Sequence, residues 1–540
     1  MVLKRIYFLL WIFNLVGKRL GVILFVLVSI LFSQEDMPGN SLAVELGCGN
    51  CHSGVSSSET IKIYAPDLNY AGSKYNAAFL YDYILNPQKI RQHIGRSRMP
   101  DFGFSENESL ALTLFLMSKS NLPLNHKVEN RKIISGNNGF NLIHKEYQCT
   151  ACHTLNDVGV NKSIDLNMSG LRLQEQWLYD VILQPSVYLH PGSPMPSFFE
   201  PDNSSSENII GEMVRYLLDL SDTTFKVLDQ KFEHVKRAYP NITKEMGRDI
   251  YASQNCSACH SMDGEERWFE THNAPNLTHQ RMKTPSSWLV QFLKEPSPVR
   301  PNGFFPGTGS RMPNFNLTEA EVDILSDWLG GAISKTKLKP ISAFQTKKVE
   351  RLLADYLPCL GCHQLNGTGG KIGPDLSNVG NRLTDGFIKM AIQMPHLVMP
   401  ESIMPKTILD STLSPLVQSY FAQRESNQKS KYLNLVENRP YSIKNKYTAN
   451  CAPCHGLKGD GTGFNAFYLP TKPGNFTDRS LMSLKADGSL FDTIHGGGRI
   501  MNKSHFMPAW GEKMSREEIV SYVRKIRDFC ECDPPEWSND

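Results

Sequence analysis

At 540 residues the chain is too long for a single hydrophobic core, and its length predicts three to five domains. The net charge is +3 at pH 7 and the pI about 8.1, a basic bias too weak to indicate a nucleic acid or a strongly acidic partner. We therefore expect a multidomain protein that does not act on nucleic acid.

The first 36 residues contain two apolar runs, each preceded by a Lys-Arg pair. The second run, residues 20–32, is followed by acidic residues, which is the pattern of a secretory signal. A spanning helix needs about 20 apolar residues, so only residues 6–32 taken together could insert as a retained anchor. Residues 1–36 are therefore predicted to be a signal peptide or a membrane anchor. Either places the rest of the chain in the periplasm or on the outer face of the cytoplasmic membrane.

The motif Cys-x-x-Cys-His occurs five times and uses ten of the twelve cysteines. Two thiols at this spacing can reach the two vinyl groups of one haem, and the histidine can bind its iron as proximal ligand. A thioredoxin-like pair and half of a zinc site are the alternatives, but five copies favour c-type haem attachment. The predicted attachment residues are Cys48, Cys51, Cys149, Cys152, Cys256, Cys259, Cys359, Cys362, Cys451 and Cys454. The predicted proximal ligands are His52, His153, His260, His363 and His455.

The motifs recur every 92 to 107 residues, a period that indicates domains rather than solenoid turns. We number the repeats units one to five. Each contains a helix before the motif, a polar loop, an aromatic-rich helix stopped by proline, a Met-Pro loop and a last helix. Polar linkers are predicted near residues 121–133, 222–243, 333–347 and 424–440. Capping boxes are predicted at Ser105 with Glu108, Ser204 with Glu207, Thr318 with Glu321, and Ser515 with Glu518.

The Met-Pro loop supplies a candidate sixth ligand to the iron of its own unit. A thioether is a soft, neutral ligand that suits low-spin, one-electron iron, whereas the alternative is a packing role. A methionine recurs at the same point of all five repeats, which favours iron ligation over a packing role. In unit four, Met394, Met399 and Met404 all precede proline, and Met404 stands six residues before the possible cap Asp410, as Met99 does before Ser105. The predicted distal ligands are Met99, Met195, Met312, Met404 and Met507.

Histidines near these loops are competing ligands, and a bis-histidine site would change the haem potential. They are His93, His190, His396, His495 and His505. Cys530 and Cys532 have no histidine after them, and both a local disulfide and two thiols are compatible with their spacing. We assign these two cysteines no function.

Each unit resembles a class I cytochrome c domain, and the resemblance covers about residues 40–532. Unit five, with its Met507-Pro-Ala-Trp-Gly511 sequence, is similar to domains in cytochrome subunits of terminal oxidases. The resemblance implies an all-α fold of five tandem domains, one covalent haem c each, behind the N-terminal segment. Asn276, where sister units have Asp, and the divergent unit four depart from the pattern. The expected domains are residues 37–122, 130–222, 240–335, 345–425 and 435–532.

The resulting hypothesis is a pentahaem c-type cytochrome that relays single electrons between redox partner proteins outside the cytoplasmic membrane. One alternative is a haem enzyme in which one open iron binds peroxide, nitrite or a sulfur compound. Another is a cytochrome subunit of a membrane respiratory complex. No acid/base pair, Ser/His/Asp set or phosphate-binding loop stands out, so no catalytic residue is predicted.

Overall fold

The protein is mostly helical, as the sequence predicts. A computed structural model describes residues 38–57, 65–88, 98–120, 138–189, 192–201, 203–265, 274–303, 305–309, 311–330, 337–399, 402–440 and 445–538. Within these ranges no helix combines the length and the apolar character needed to cross a bilayer. The predicted signal peptide or anchor at residues 1–36 lies outside them.

Helices before the motifs and at the end of each unit account for most of the fold. In the described ranges, the helices of eight residues or more are α1 (Pro38–Glu45), α2 (Ala77–Leu85), α3 (Glu106–Met117), α4 (Glu175–Leu183), α5 (Ser204–Asp219), α6 (Asp222–Ala238), α7 (Lys244–Ser253), α8 (Ser286–Lys294), α9 (Glu319–Leu329), α10 (Ala343–Asp355), α11 (Asp385–Gln393), α12 (Leu413–Ala422), α13 (Asp487–Gly496) and α14 (Arg516–Cys530).

Shorter elements fill the loops. The short α-helices are Ala71–Lys74, Gly139–Asn141, Ser169–Arg172, Pro185–Tyr188, Gln280–Lys283, Val379–Arg382, Pro395–Val398, Lys446–Asn450, Ala452–His455 and Arg479–Met482. The 3-10 turns are Cys48–Asn50, Cys149–Ala151, Leu166–Met168, Cys256–Ala258, Pro358–Gly361, Phe464–Tyr468, Gly498–Met501 and Glu536–Ser538, and a π-turn spans Leu142–Glu146. Strands β1 (Thr154–Leu155) and β2 (Val158–Gly159) pair antiparallel in unit two, as do β3 (Gln364–Leu365) and β4 (Thr368–Gly369) in unit four.

The helix boundaries follow the predicted signals with two exceptions. The possible cap Asp410 is one, because α12 begins at Leu413 with Thr412 as its cap residue, although the Asp410 side chain accepts from Thr412 N and Leu413 N at 2.8 Å. The capping boxes at Ser105, Thr318 and Ser515 are present, each with its Glu bonded back to the cap backbone. The predicted box at Ser204 is wrong, because α5 begins at Ser204 and its cap is Asn203. The Asn203 side chain accepts from the next two free amides, and asparagine is a strong N-cap, so the helix starts one residue earlier than expected.

Units one and three exchange their haem motifs. We call residues 38–57 and 244–265 the motif segments of these units, and residues 65–120 and 274–330 their closing segments. In unit four, His363 Nδ1 bonds Pro374 O within the unit, at 2.7 Å. The equivalent bonds cross between units one and three. His52 Nδ1 bonds Pro275 O at 2.9 Å, and His260 Nδ1 bonds Pro66 O at 3.0 Å.

The helices of the exchanged segments confirm this pairing. Helix α1 packs on α9 so closely that a Cβ at Gly39 would lie 2.2 Å from Trp328 Cβ. Helix α7 packs on α3 in the same way, and a Cβ at Gly247 would lie 2.0 Å from the Ala111 carbonyl oxygen. Only a residue without Cβ permits such close backbone approach. Each motif segment therefore completes the hydrophobic core of the other unit.

In the structure the expected domains 37–122 and 240–335 are interlocked by this exchange, and their boundaries along the chain stay a prediction. Neither is a separate packing unit, because the core around Leu42 and Leu46 is built with α8 and α9, while Ile250 and Tyr251 belong to the core of α3. The repeats are similar enough in pattern for a motif segment to fit a sister unit, which is the geometry of a segment swap within one chain.

Reciprocal contacts hold the two closing segments together at their Met-Pro loops. Arg98, which precedes Met99, forms an ion pair with Glu321 at 2.5 Å. Arg311, which precedes Met312, forms an ion pair with Glu108 at 3.2 Å, and both side chains are at least 96% buried (4% and 2% exposed). The backbones of Asp101 and Asn314 exchange two hydrogen bonds between these loops. The capping-box Glu of each unit thus anchors the other unit's loop.

The linker between units four and five runs back over this interface, and we call its residues 424–440 the strap. The Tyr432 hydroxyl donates to Met312 O at 2.8 Å, and Arg311 donates to Leu433 O at 2.7 Å. Leu435, which is 4% exposed, donates its amide to Glu108 Oε1 at 2.8 Å. A linker expected to be a polar spacer therefore joins unit five to the interface between units one and three.

Replacing Tyr432 by Phe is expected to lower the free energy of unfolding by about 1 kcal/mol, because the Met312 carbonyl loses its hydrogen bond to the strap. Thermal unfolding of the purified protein measures this. Tyr356→Phe, at a side chain that is 42% exposed, is the matched control and should change stability by less than about 0.5 kcal/mol. Equal effects of the two substitutions would show that the strap does not stabilise the loop.

The other predicted linkers differ from one another. Residues 222–243 are largely helix α6, whose Phe232 and Val235 pack against Tyr81 and Leu110 of unit one. Helix α10 begins at Ala343 and so takes up the end of the linker predicted at 333–347. The linker predicted at 121–133 lies outside the described residues.

Cys530 and Cys532 form a disulfide. Of the two states that their spacing permitted, a local disulfide or two thiols, the structure has the disulfide.

Candidate haem sites

Each Cys-x-x-Cys-His motif folds as one helical turn. The histidine amide donates to the carbonyl of the first cysteine in all five copies, at 2.8 to 3.0 Å. In units one to three the residue before the first cysteine is left-handed, with φ of 76° at Gly47, 49° at Gln148 and 55° at Asn255. This sharp entry ends the preceding helix and turns the motif towards the core. The two thiols and the imidazole of each motif consequently line the same cavity.

The proximal histidines are held by the nitrogen that an iron would not use. Every Nδ1 lies within hydrogen-bond distance of a backbone carbonyl, which can only accept, so Nδ1 donates and Nε2 keeps its lone pair. Outer hydrogen bonds of this kind fix the orientation of metal-binding histidines. The pairs are His52 with Pro275 at 2.9 Å, His153 with Ile164 at 2.7 Å, His260 with Pro66 at 3.0 Å, His363 with Pro374 at 2.7 Å, and His455 with Gly474 at 3.1 Å.

Burial sets the protonation states of both kinds of side chain. It lowers the pKa of His153, His260, His363 and His455, and so favours the neutral imidazole that binds metals. It raises the pKa of Cys149, Cys359 and Cys454, and it raises the pKa of Cys48, Cys256, Cys362 and Cys451 to about 12. Zinc sites and redox-active pairs need thiolates. In the part of the chain that the structure describes, moreover, no three His, Cys, Asp or Glu side chains form a metal site together.

One continuous cavity of about 3300 Å³ joins the five motifs. All ten motif cysteines, all five motif histidines and the five predicted distal methionines line it. In unit four, Met399 lines it as well as Met404, whereas Met394 does not and is 39% exposed. The choice of Met404 therefore stays a prediction, with Met399 as the remaining alternative.

The exchange of segments changes which methionine faces which histidine. Met312 and Phe315 pack against the core that contains Cys48. Phe102 and Phe104, which follow Met99 in its loop, belong to the core that Cys256 contacts. The pairing of His52 with Met99 and of His260 with Met312, expected from chain order, stays a prediction, and these shared cores favour the exchanged pairing instead. The structure brings the Met312 loop to the first motif and the Met99 loop to the third.

The competing histidines do not line the cavity where the structure describes them. His396, His495 and His505 are absent from its lining, whereas His93 and His190 lie outside the described residues. His279, which the sequence patterns did not single out, does line the cavity beside the short helix Gln280–Lys283.

Basic side chains in the cavity are the main feature that the sequence patterns did not reveal. Four units end their short post-motif helix with a basic residue that lines the cavity, namely Lys74, Arg172, Lys283 and Arg382. Burial, and then the neighbouring Arg382, lower the pKa of Lys283 to about 8. Burial lowers the pKa of Arg382 to about 10, and Asp375 opposes that change. Aligning the five units would have shown the recurrence of these residues.

Haem c fits this set of residues. Its ring requires an apolar cavity, its vinyl groups require buried thiols, and its iron requires a neutral imidazole with a free Nε2. Its two carboxylates would supply negative charge to a cavity in which Lys283 and Arg382 are buried cations.

Comparisons with known proteins agree with this chemistry. A family model described as Cytochrome c matches residues 245–332, and one described as Cytochrome C oxidase, cbb3-type, subunit III, matches residues 439–524. A nitric oxide reductase subunit from Stutzerimonas stutzeri is 30% identical over 105 residues, which are 18% of this chain and 68% of that protein. No solved structure was found to match.

Proposed function

Because this chain belongs to the c-type cytochromes, which transfer electrons, we propose that it carries five covalent haems and relays single electrons between redox partner proteins. The observation that carries the proposal is the single cavity that all five motifs line. A shared cavity favours short distances between the five sites, which electron transfer from one site to the next requires. The signal-like residues 1–36 support a location outside the cytoplasmic membrane, in the periplasm or anchored to its outer face.

The residues of the chain hold and tune each haem. Motif cysteines would fix the porphyrin, motif histidines would bind iron through Nε2, and loop methionines would close the opposite side. Bound haem supplies a reversible one-electron couple. One electron enters from a reduced partner protein and one leaves to an oxidised partner, so the chain itself undergoes no net change.

The mass of the mature protein and a spectroelectrochemical titration test this proposal. Five haems per chain, five one-electron waves and low-spin spectra are expected. Fewer than five haems would overturn the pentahaem relay. A high-spin signal, or a Soret shift on adding peroxide, nitrite or a sulfur compound, would favour the enzyme with one open iron, and unit four with its two candidate methionines would be the first place to look for it.

A second candidate is a cytochrome subunit of a membrane respiratory complex. The relative from Stutzerimonas stutzeri is named as a subunit of nitric oxide reductase, and the second family model is named for an oxidase subunit. Purification from detergent-solubilised membranes distinguishes an independent electron relay from a subunit of a membrane complex. Recovery in a stable complex with an integral membrane protein would favour membership of such a complex, whereas recovery of this chain alone would favour the independent relay.

Replacing Arg382 by Leu is expected to lower one midpoint potential by on the order of 60 mV, a tenfold change in a one-electron equilibrium constant. The buried Arg382 charge acts on His363 and so disfavours the oxidised, more positive state of the fourth haem. Redox titration measures the shift. Lys389→Met removes a charge from the exposed side of α11 and should leave all five waves in place. An unchanged potential in Arg382→Leu would contradict the assignment.

A further inference from the structure

The first and third motifs face each other across one asparagine. The Asn50 side-chain amide donates to Ala258 O at 2.9 Å and approaches Cys259 Sγ at 3.8 Å. Asn50 is 8% exposed and immediately precedes Cys51, so it belongs to the first motif while its partners belong to the third. The attachment edges of these two sites are therefore adjacent.

The fourth and fifth motifs meet in the same way across a different asparagine. The Asn465 amide donates to Gly361 O at 2.8 Å and to Cys454 Sγ at 3.3 Å. Its side-chain oxygen accepts from Lys371 N at 2.8 Å, and the residue is fully buried. Gly361 precedes the second cysteine of its motif, as Ala258 does. Two asparagines from unrelated positions in the repeat therefore make one arrangement, an amide that bridges two motifs.

The second motif shares a hydrophobic core with the third. Cys149 and Cys256 contact the same hydrophobic core. The closing segment that receives the third motif pairs with unit two, because Asn76 N donates to Arg172 O and Gln174 N donates to Lys74 O, both at 3.0 Å.

The closing segment that receives the first motif contacts unit four in a similar way. Thr384 of unit four donates its amide to Lys283 O at 2.9 Å and its hydroxyl to Met282 O at 2.5 Å. Lys283 and Met282 belong to the closing segment that receives the first motif, and Lys283 lies over the Phe387 ring at 5.7 Å. The segment exchange therefore determines which sites are neighbours.

We propose that the five haems are connected in the order second, third, first, fourth, fifth, and that Asn50 and Asn465 are positioning residues that bridge two pairs of neighbours. The proposal rests on the proposed function and adds the route of the electron to it. Each transfer oxidises one haem by one electron and reduces its neighbour by one. This order differs from the order of the motifs along the chain, in which electrons would pass from the first site to the second and then to the third. The second and fifth sites become the ends of the route, where partner proteins exchange electrons.

Redox titration of the full haem-loaded chain tests the pairing with Asn50→Asp and Asn465→Asp, at pH 8 and above. A carboxylate between two haems favours the oxidised state of both. Each substitution is expected to lower two of the five potentials, the two pairs should not overlap, and one wave should move in neither variant. Asn141→Asp, which adds the same charge at an exposed position of unit two, is the matched control and should leave both pairs in place.

The wave that neither substitution moves is expected to disappear in Cys149→Ala/Cys152→Ala, which removes the second haem. The proposed order of the haems would be wrong if either Asp substitution shifted only one redox wave. It would also be wrong if the two substitutions shifted overlapping pairs of waves. If the unsubstituted protein still carried five haems and showed five redox waves, the relay would remain supported and only the order would be wrong. Fewer than five haems would instead overturn the proposed function itself.

Carbodiimide cross-linking keeps the proposal testable if an Asp variant fails to load haem. Lys119 Nζ of unit one lies 2.7 Å from Glu265 Oε1 of the third motif segment, and Lys294 and Glu319 form a pair within unit three. Mass spectrometry should find both cross-links, and Glu265→Gln should remove only the first. Recovery of the Lys294–Glu319 product alone would show that the first and third segments are not exchanged.

Discussion

Replacing Arg311 by Met is expected to lower the free energy of unfolding by about 3–5 kcal/mol, because Glu108 would stay buried without its counter-charge. Arg311 also donates to Phe102 O at 3.3 Å and to Leu433 O at 2.7 Å, and its guanidinium lies over the Tyr432 ring. One side chain thus joins both Met-Pro loops to the strap. Denaturant unfolding of the haem-loaded protein measures the loss.

An exposed ion pair provides the control for this prediction. Arg215 pairs with Asp219 on the surface of α5, where the side chains are 51% and 59% exposed. Arg215→Met should cost no more than about 0.5 kcal/mol. The double variant Arg311→Met/Glu108→Gln should recover part of the loss, since the uncompensated charge is gone. A cost below about 1 kcal/mol for Arg311→Met would mean that water reaches Glu108 and that the interface is loosely packed.

Removing the third haem is expected to unfold helices of unit one rather than the last helices of unit three. In Cys256→Ala/Cys259→Ala the motif segment loses its haem, and the core that it shares with α3 loses its centre. A segment of about 100 residues has too small a core to compensate. Amide exchange in α3 and α7 should accelerate by at least about a hundredfold, equivalent to about 2.8 kcal/mol. Hydrogen exchange read by mass spectrometry measures it.

The reciprocal variant makes the test internally controlled. Cys48→Ala/Cys51→Ala removes the first haem, and the structure predicts faster exchange in α1, α8 and α9, with α3 retaining its protection. Both variants should carry four haems. If each variant instead lost protection only in the closing segment of its own unit, the result would show that the segments are not exchanged. The proposed electron route would then be wrong as well.

Local patterns predicted the elements because their physical causes are local. Ser105 and Glu108 are three residues apart, so their reciprocal bonds depend on nothing else in the chain. Proline ended the aromatic-rich helices, for example α2 before Pro87, because its ring cannot enter a helix interior. The cap at Asn203 was missed because two good capping residues stand side by side there, and the sequence alone does not rank them.

Contacts between units had no such local signal. Tyr432 reaches Met312 across 120 residues, and Asn465 reaches Gly361 across 104. The cations Lys283 and Arg382 resemble surface residues in the sequence, and only the fold buries them at a common cavity. The buried charges and the bridging amides were therefore found from the structure.

The chemistry of each site was determined by the sequence, since two thiols and an imidazole within five residues share one helical turn whatever surrounds them. The number of motifs and the helical class follow from the sequence, whereas the attachment residues stay predictions. Which closing segment receives which motif histidine was decided by tertiary structure alone. Sister repeats present nearly the same apolar faces to a motif segment. Whether a motif segment packs in its own unit or in another therefore depends on distant contacts, such as the ion pairs of Arg98 and Arg311. No spacing along the chain encodes such contacts.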